Sequence, residues 1–299
     1  MRGEGVFILL GAGRSGTTLL YKILAAHRKV GYLSNYQNRY PTLPSTAILH
    51  RVLNYFPEVK RKAWFKEGGG AYFNERREWL TSLVPTPSEA ESIYQACGLP
   101  LTPSEDYKPN DITTECLAQC FEKVKKASGA SILLSKRTAN NRRIPQLHQM
   151  LPGARFIHLI RDGRAVAYSL PRVAWWDDHV LFWSGRTPRQ MVAEGADPLQ
   201  LAARNWVEGM SSIEQGIRAL SKDIVLEVRY ENLLLRPRDE IQRMLEFMGV
   251  PEPDPAFNRL VETLNLRPRK EAWLSGWSEA EKALVHALQR DTLRRWGYL

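Results

Sequence analysis

Two spacings of apolar residues alternate along this chain. Short continuous apolar runs fall at 6–10, 131–135, 155–160 and 224–228. Runs of that length suit buried strands. Each is followed by a stretch whose apolar positions recur at helical spacing. Such alternation predicts an α/β fold, a central parallel sheet flanked by helices in three layers. Ligands of such sheets bind beyond the carboxyl ends of the strands. All four predicted strand ends carry polar groups: Arg14 with Thr17 and Thr18, then Lys136, then Arg161 with Asp162, then Arg229 with Tyr230. That agreement predicts one binding crevice.

The pattern changes between about 36 and 126. Pro41, Pro44, Pro57, Pro85 and Pro87, a glycine triplet at 68–70 and scattered aromatics read as a helical insertion between the first two predicted strands. Residues 188–220 read as a short excursion and then a long helix, and 238–248 and 278–296 as amphipathic closing helices. Ser278 with Glu281 fits a capping box. Neither an internal repeat nor a low-complexity linker interrupts the chain, so 1–299 is expected to form a single domain.

The first run leads straight into GAGRSGTTLLYKIL. Glycines let a turn curl tightly and face its N–H groups inward, and the helix that follows aims its positive end at the same place. A strand, turn and helix in this order hold a phosphate-like dianion. From Gly11 to Gly16 the spacing is that of a nucleoside-triphosphate P-loop, but Thr17 stands where the P-loop lysine belongs. The cation has moved into the loop, at Arg14, where a guanidinium grips a terminal oxyanion in bidentate fashion. The turn therefore predicts a phosphate cradle poorly suited to Mg-ATP. The plain alternative is a glycine-rich turn that merely joins strand to helix.

Composition narrows the class. An apolar share of 43% and a charged share of 25% are those of an ordinary globular chain. No apolar run approaches the ~20 residues of a membrane span. The run VFILL enters the glycine turn and not a cleavage site, so no signal peptide is read and a cytoplasmic location is expected. Cys97, Cys116 and Cys120 are read as small core residues and not metal ligands, and their odd number suggests a reducing compartment. The net charge is +10, yet 32 acidic residues are interleaved and no long Lys/Arg block occurs, which argues against nucleic acid as partner. The cations fall in short groups at 136–143, 161–164, 236–238 and 267–270. Such groups either converge on one polyanionic small ligand or are solvated surface.

A second motif is FIHLIRDGRAVAYSL, 156–170. Its strand ends at Arg161, Asp162 is placed to cap the following helix, and Ser169 lies about two turns on. Arginine and serine together can clamp a second phosphate. The plain reading makes Asp162 a cap and Arg161 a surface ion pair.

These two motifs resemble those of sulfotransferases that use 3′-phosphoadenosine 5′-phosphosulfate (PAPS). GAGRSGTTLLYKIL is similar to their 5′-phosphosulfate loop, and FIHLIRDGRAVAYSL to their 3′-phosphate element. VRYENLLLRPRDEIQRMLEFMGVP resembles the segment that sets a tyrosine beside the nucleotide, and the terminal RRWGYL resembles the closing helix of bacterial members. In its nucleotide motifs the chain resembles the carbohydrate and protein-tyrosine branch. The resemblance implies a P-loop-like α/β domain related to nucleotide kinases. It implies that Gly13, Arg14, Ser15, Gly16, Thr17 and Thr18 hold the 5′-phosphosulfate, that Arg161 and Ser169 hold the 3′-phosphate, and that Tyr230 lies by the adenosine. Arg267, Arg269 and Lys270 correspond to a loop that closes over the 3′-phosphate. Lys136 corresponds to a lysine that approaches the bridging oxygen, where a fixed ammonium stabilises the transition state more than the ground state. Off a strand end, Lys136 also has a plain reading as a snorkelling side chain.

The expected reaction moves a sulfuryl group from PAPS to a hydroxyl or amine of a small-molecule, lipid or carbohydrate acceptor, without a metal. The helical insertion is expected to shape the acceptor pocket. The general base is the departure from pattern. Protein-tyrosine sulfotransferases carry Gly-Glu-Glu-Thr-Arg soon after the first helix, and the comparable stretch here, GYLSNYQNR, has no carboxylate. The candidates are Glu89 first, then His179 and Asp111. Glu89 also has a plain role as a helix-start carboxylate, and the aromatic cluster ahead of His179 one as core. The rivals are a P-loop kinase acting on a small molecule, favoured by Asp162 alone, and a non-catalytic binder of anionic polymers.

Overall fold

The computed structural model describes residues 2–65, 83–103, 107–250, 254–268 and 271–299. Five parallel strands form one sheet: β1 (Val6–Leu10), β2 (Val30–Tyr32), β3 (Ile132–Lys136), β4 (Arg155–Ile160) and β5 (Val225–Arg229), in the order β2-β3-β1-β4-β5. The central strand β1 is buried along its whole length, as a strand covered on both faces must be. Phe7 and Leu9 point into one apolar layer, and Val6, Ile8 and Leu10 into the other. The first layer is closed by α1 (Thr17–Ala25) and by the helices Pro237–Phe247 and Pro255–Thr263. The three-layer α/β fold is the one expected.

Register sets the site. Leu9 pairs with Lys136, Leu10 with His158, and Ile160 with Arg229, so the polar strand ends lie along one edge of the sheet. Two strands run one residue further than the apolar pattern predicts. Lys136 is thereby the last residue of β3 and Arg229 that of β5. The strand β2 was not predicted. Its three residues leave no room for a period, and it forms by pairing along β3.

The described parts of 36–126 carry helices joined by irregular segments such as 83–90 and 97–103, and the glycine triplet at 68–70 lies outside the described residues. Two of its helices matter for the site: α2 (Glu91–Ala96) and α3 (Asp111–Ser128). Leu117, Phe121 and Val124 of α3 pack in the second apolar layer. Later helices used below are α4 (Gly163–Ser169), α5 (Pro198–Arg218) and α6 (Glu279–Arg295). The capping box read from Ser278 and Glu281 is formed, with Ser278 ahead of α6.

The cysteines differ from expectation. Cys97, which closes α2, is bonded to Cys116 in α3, with Cα atoms 5.3 Å apart. The chain doubles back between the two helices and brings the thiols together, something a spacing of 19 residues does not reveal. Cys120 is a buried thiol whose pKa is pushed up to about 11 by burial. With two of the three cysteines paired, the odd count no longer argues for a reducing compartment. Among the described residues no helix is long and apolar enough to cross a membrane.

Candidate functional site

The turn after β1 is built to expose its inner surface. Ser15 N–H donates to the Ala12 carbonyl at 3.1 Å, closing the bend. Gly16 then takes φ 91°, and α1 starts at Thr17 with no side chain capping it. The first amides of α1 therefore lack intrahelical acceptors and face the loop. A Cβ on Gly16 would lie 2.5 Å from the Tyr230 ring, so this position needs glycine for both conformation and room. At Gly13 a Cβ would meet nothing within 4 Å among the described residues, which marks the open side of the bend. Arg14 has φ 67°, a left-handed conformation that costs a non-glycine residue about 1–2 kcal/mol. Such strain persists where the surroundings impose it, and functional sites are common places for it.

The second motif closes on the first. Arg14 Nε donates to Ser169 Oγ at 3.0 Å, and Arg161 Nη1 donates to the Arg14 carbonyl at 2.9 Å. The Arg161 guanidinium lies 4.6 Å from the centre of the Tyr230 ring, whose edge packs on Gly16. Arg14, Gly16, Arg161, Ser169 and Tyr230 thus surround one place, though 216 residues separate the first from the last in a chain of 299 (230 − 14). Ser15 Oγ and Arg161 Nε are buried there with no hydrogen-bond partner among the described residues. Buried polar groups are rarely left so, and orphan donors beside a bare helix start fit an anionic ligand. Thr17 is buried against the loop and Thr18 is exposed. Asp162 does cap α4, accepting from Arg164 N–H at 2.9 Å, and its own N–H donates to Glu231 Oε1 at 3.0 Å. Tyr298 Oη donates to the other oxygen of Glu231, so the chain's last residues brace the start of α4.

Lys136 is 6% exposed and forms an ion pair with Glu89. Glu89 also accepts from Thr138 N–H at 2.9 Å and from Thr138 Oγ1 at 3.1 Å. Burial pushes the Glu89 carboxyl up, but the Lys136 ammonium and the bonds from Lys136 and Thr138 outweigh it, and the carboxyl lies below its usual range. A second ion pair, Arg137 with Glu91, stands beside the first, and the Arg137 guanidinium lies 4.6 Å from the Tyr94 ring centre. Between the two glutamates Ala90 takes φ 44° and ends outside the helix. The helix-start role read for Glu89 therefore belongs to Glu91, and Glu89 is turned onto Lys136.

The other base candidates lie elsewhere. His179 is exposed with its ring 5.4 Å from that of Trp175, and burial and Arg142 lower its pKa. Asp111 is exposed in the first turn of α3, behind the cap Asn110. Among the described residues neither is bonded to Lys136. Arg267 is exposed, and Arg269 and Lys270 lie outside the described residues. Sequence reasoning missed Thr138, Asn141 and Glu91, which belong to no local motif, and the Tyr298–Glu231 brace, which joins two motifs that it read separately.

A family model described as "Sulfotransferase family" matches residues 6–254. Protein-tyrosine sulfotransferase of Drosophila melanogaster is 23% identical over 249 residues, which cover 82% of this chain and 38% of that protein. Protein-tyrosine sulfotransferase A of Caenorhabditis elegans is 21% identical over 295 residues, 97% of this chain and 60% of that protein. The chain thus spans less than two thirds of either relative. Among solved structures, sulfotransferase STF9 from Mycobacterium avium superposes with a TM-score of 0.61 at 20% identity, covering 99% of this chain and 77% of that one. Sulfotransferase STF1 from Mycobacterium tuberculosis H37Rv gives 0.55 at 15%, with 96% and 76% covered. At these identities the structural likeness establishes the fold alone.

Proposed function

Because the chain belongs to the sulfotransferase family, we propose that it moves a sulfuryl group from PAPS to an acceptor hydroxyl or amine. The donor, when bound, supplies an activated sulfuryl group whose departure leaves adenosine 3′,5′-bisphosphate. The observation that carries this reading is the closure of the Arg161–Ser169 element on the Arg14 loop, which gives one place two sets of anion donors. Arg14 and the amides from Gly13 to Thr18 hold the 5′ group, Arg161 and Ser169 hold the 3′-phosphate, and Tyr230 lies against the nucleoside. Lys136 stabilises charge that grows on the departing oxygen, which is worth more in a desolvated site than in water. Glu89 stays ionised beside it and takes the acceptor's proton as the acceptor oxygen or nitrogen bonds to sulfur. A base must lie within hydrogen-bond reach of that proton, and Glu89 is the carboxylate joined to Lys136. No metal takes part.

The test is a labelled-PAPS transfer screen over phenols, lipids, carbohydrates and tyrosine peptides, run beside Lys136→Ala and Arg14→Ala. Transfer that depends on both residues supports the reading. Transfer unchanged in both variants would reject these roles, and magnesium-dependent ATP turnover would favour a kinase.

A further inference from the structure

The loop that carries Arg14 is fastened at its root by a side chain from another strand's exit. Gly11 is the first residue after β1. Its N–H donates to Asn141 Oδ1 at 3.2 Å, and its carbonyl accepts from Asn141 Nδ2 at 2.8 Å. One carboxamide satisfies both polar groups of one backbone residue. A neighbouring strand normally supplies such bonds, but the β1–β3 ladder ends with Leu9 and Lys136. Asn141 takes over where the ladder stops. It is 5% exposed, so water does not replace these bonds when they break.

Asn141 stands on a 3-10 turn, Thr138–Arg142, separated from the β3 end at Lys136 by Arg137 alone. The same turn grips Glu89 through the N–H and hydroxyl of Thr138. At one end it therefore holds the carboxylate paired with Lys136, and at the other the root of the anion loop. The adjacent Asn140 faces elsewhere, donating to Tyr94 Oη at 3.0 Å. We infer that Asn141 is a positioning residue that sets the Arg14 loop in register with the Lys136–Glu89 pair, so that the bound donor and the transfer machinery meet. The effect on turnover rests on the sulfotransferase reading, but the effect on the loop does not.

Asn141→Asp keeps an acceptor for Gly11 N–H, loses the donor to its carbonyl and sets two oxygens against each other. Asn141→Ala leaves both Gly11 groups unpartnered. Asn140→Ala controls for the loss of a buried carboxamide from the same turn. Amide hydrogen exchange of the free protein reports the loop, calorimetry with adenosine 3′,5′-bisphosphate reports affinity, and steady-state transfer separates kcat from the acceptor KM. Both Asn141 variants should speed exchange across 11–18, weaken the nucleotide about tenfold or more and lower kcat. The acceptor KM should stay within about twofold, and Asn140→Ala should leave exchange and affinity near the parent's even where its Tm falls equally. Unchanged loop exchange in both Asn141 variants overturns the inference. So does an equal effect from Asn140→Ala at equal loss of Tm. A parent protein that fails to bind the nucleotide would instead sink the functional reading, and loop exchange would still decide the role of Asn141.

Discussion

Replacing Lys136 with methionine removes an ammonium and keeps an unbranched apolar side chain. In the parent that ammonium is nearly buried, paired with Glu89 and 3.4 Å from Thr138 Oγ1. Removing one preorganised donor at a developing charge costs about 2.7–4 kcal/mol, a loss of about 10²–10³ in kcat. Affinity for adenosine 3′,5′-bisphosphate should change far less, because Arg14, Arg161 and Ser169 are untouched. The same substitution should move a proton equilibrium. Burial raises the Glu89 carboxyl, and the Lys136 ammonium is the largest of the influences that bring it below its usual range. Without Lys136, burial is opposed by Thr138 alone and the carboxyl climbs. A carboxyl depressed in the folded state adds stability above its unfolded pKa and loses that stability as pH falls through the folded value. The parent should thus draw stability from Glu89 at neutral pH and lose it only below the ordinary carboxylate range. The variant should draw less stability from Glu89 at neutral pH, and the acid limb of its pH–rate profile should move to higher pH. Sulfuryl transfer measured from about pH 4 to about pH 9, with thermal melts at each pH, checks both. A kcat loss smaller than about tenfold, or an acid limb that stays in place, would refute the assignment.

Gly16→Ala drives a methyl into the Tyr230 ring and strains a φ of 91°, so nucleotide affinity should fall by about tenfold or more with the fold retained, read by calorimetry and circular dichroism. Cys97→Ser opens the Cys97–Cys116 link across 19 residues, and chemical denaturation under oxidising conditions should show a loss of about 3 kcal/mol that vanishes when a dithiol is present throughout. Glu91→Gln weakens the pair with the fully buried Arg137, which holds α2 against β3 beside Glu89. It should lower Tm and kcat together while leaving nucleotide affinity near the parent's, because no bond from Glu91 reaches the Arg14 loop among the described residues.

What could be read from the sequence was local. The strand, turn and helix from Val6 to Ala25, and the strand and helix from Arg155 to Ser169, each encode their geometry within about twenty residues, through apolar runs, glycine and a capping Asp162. Their convergence was legible because parallel strands place their ends on one edge. Contacts between distant residues left no such mark. Asn141 reaches Gly11 across 130 positions and Lys136 reaches Glu89 across 47, with no period to betray either. Ala90 shows why the helix-start alternative weighed for Glu89 does not hold. Its positive φ swings the glutamate off the helix axis, and nothing about an alanine announces that. The strand Val30–Tyr32 and the Cys97–Cys116 link escaped for the same reason, since each exists only because another element lies beside it.

The central claim is that two separate elements grip the two ends of one nucleotide. Calorimetry of Ser169→Ala with adenosine 3′,5′-bisphosphate and with adenosine 5′-phosphate tests it most directly. The parent should bind the bisphosphate much more tightly, and the variant should lose most of that difference while holding the monophosphate as before. Equal weakening of both ligands, or of neither, would contradict the account.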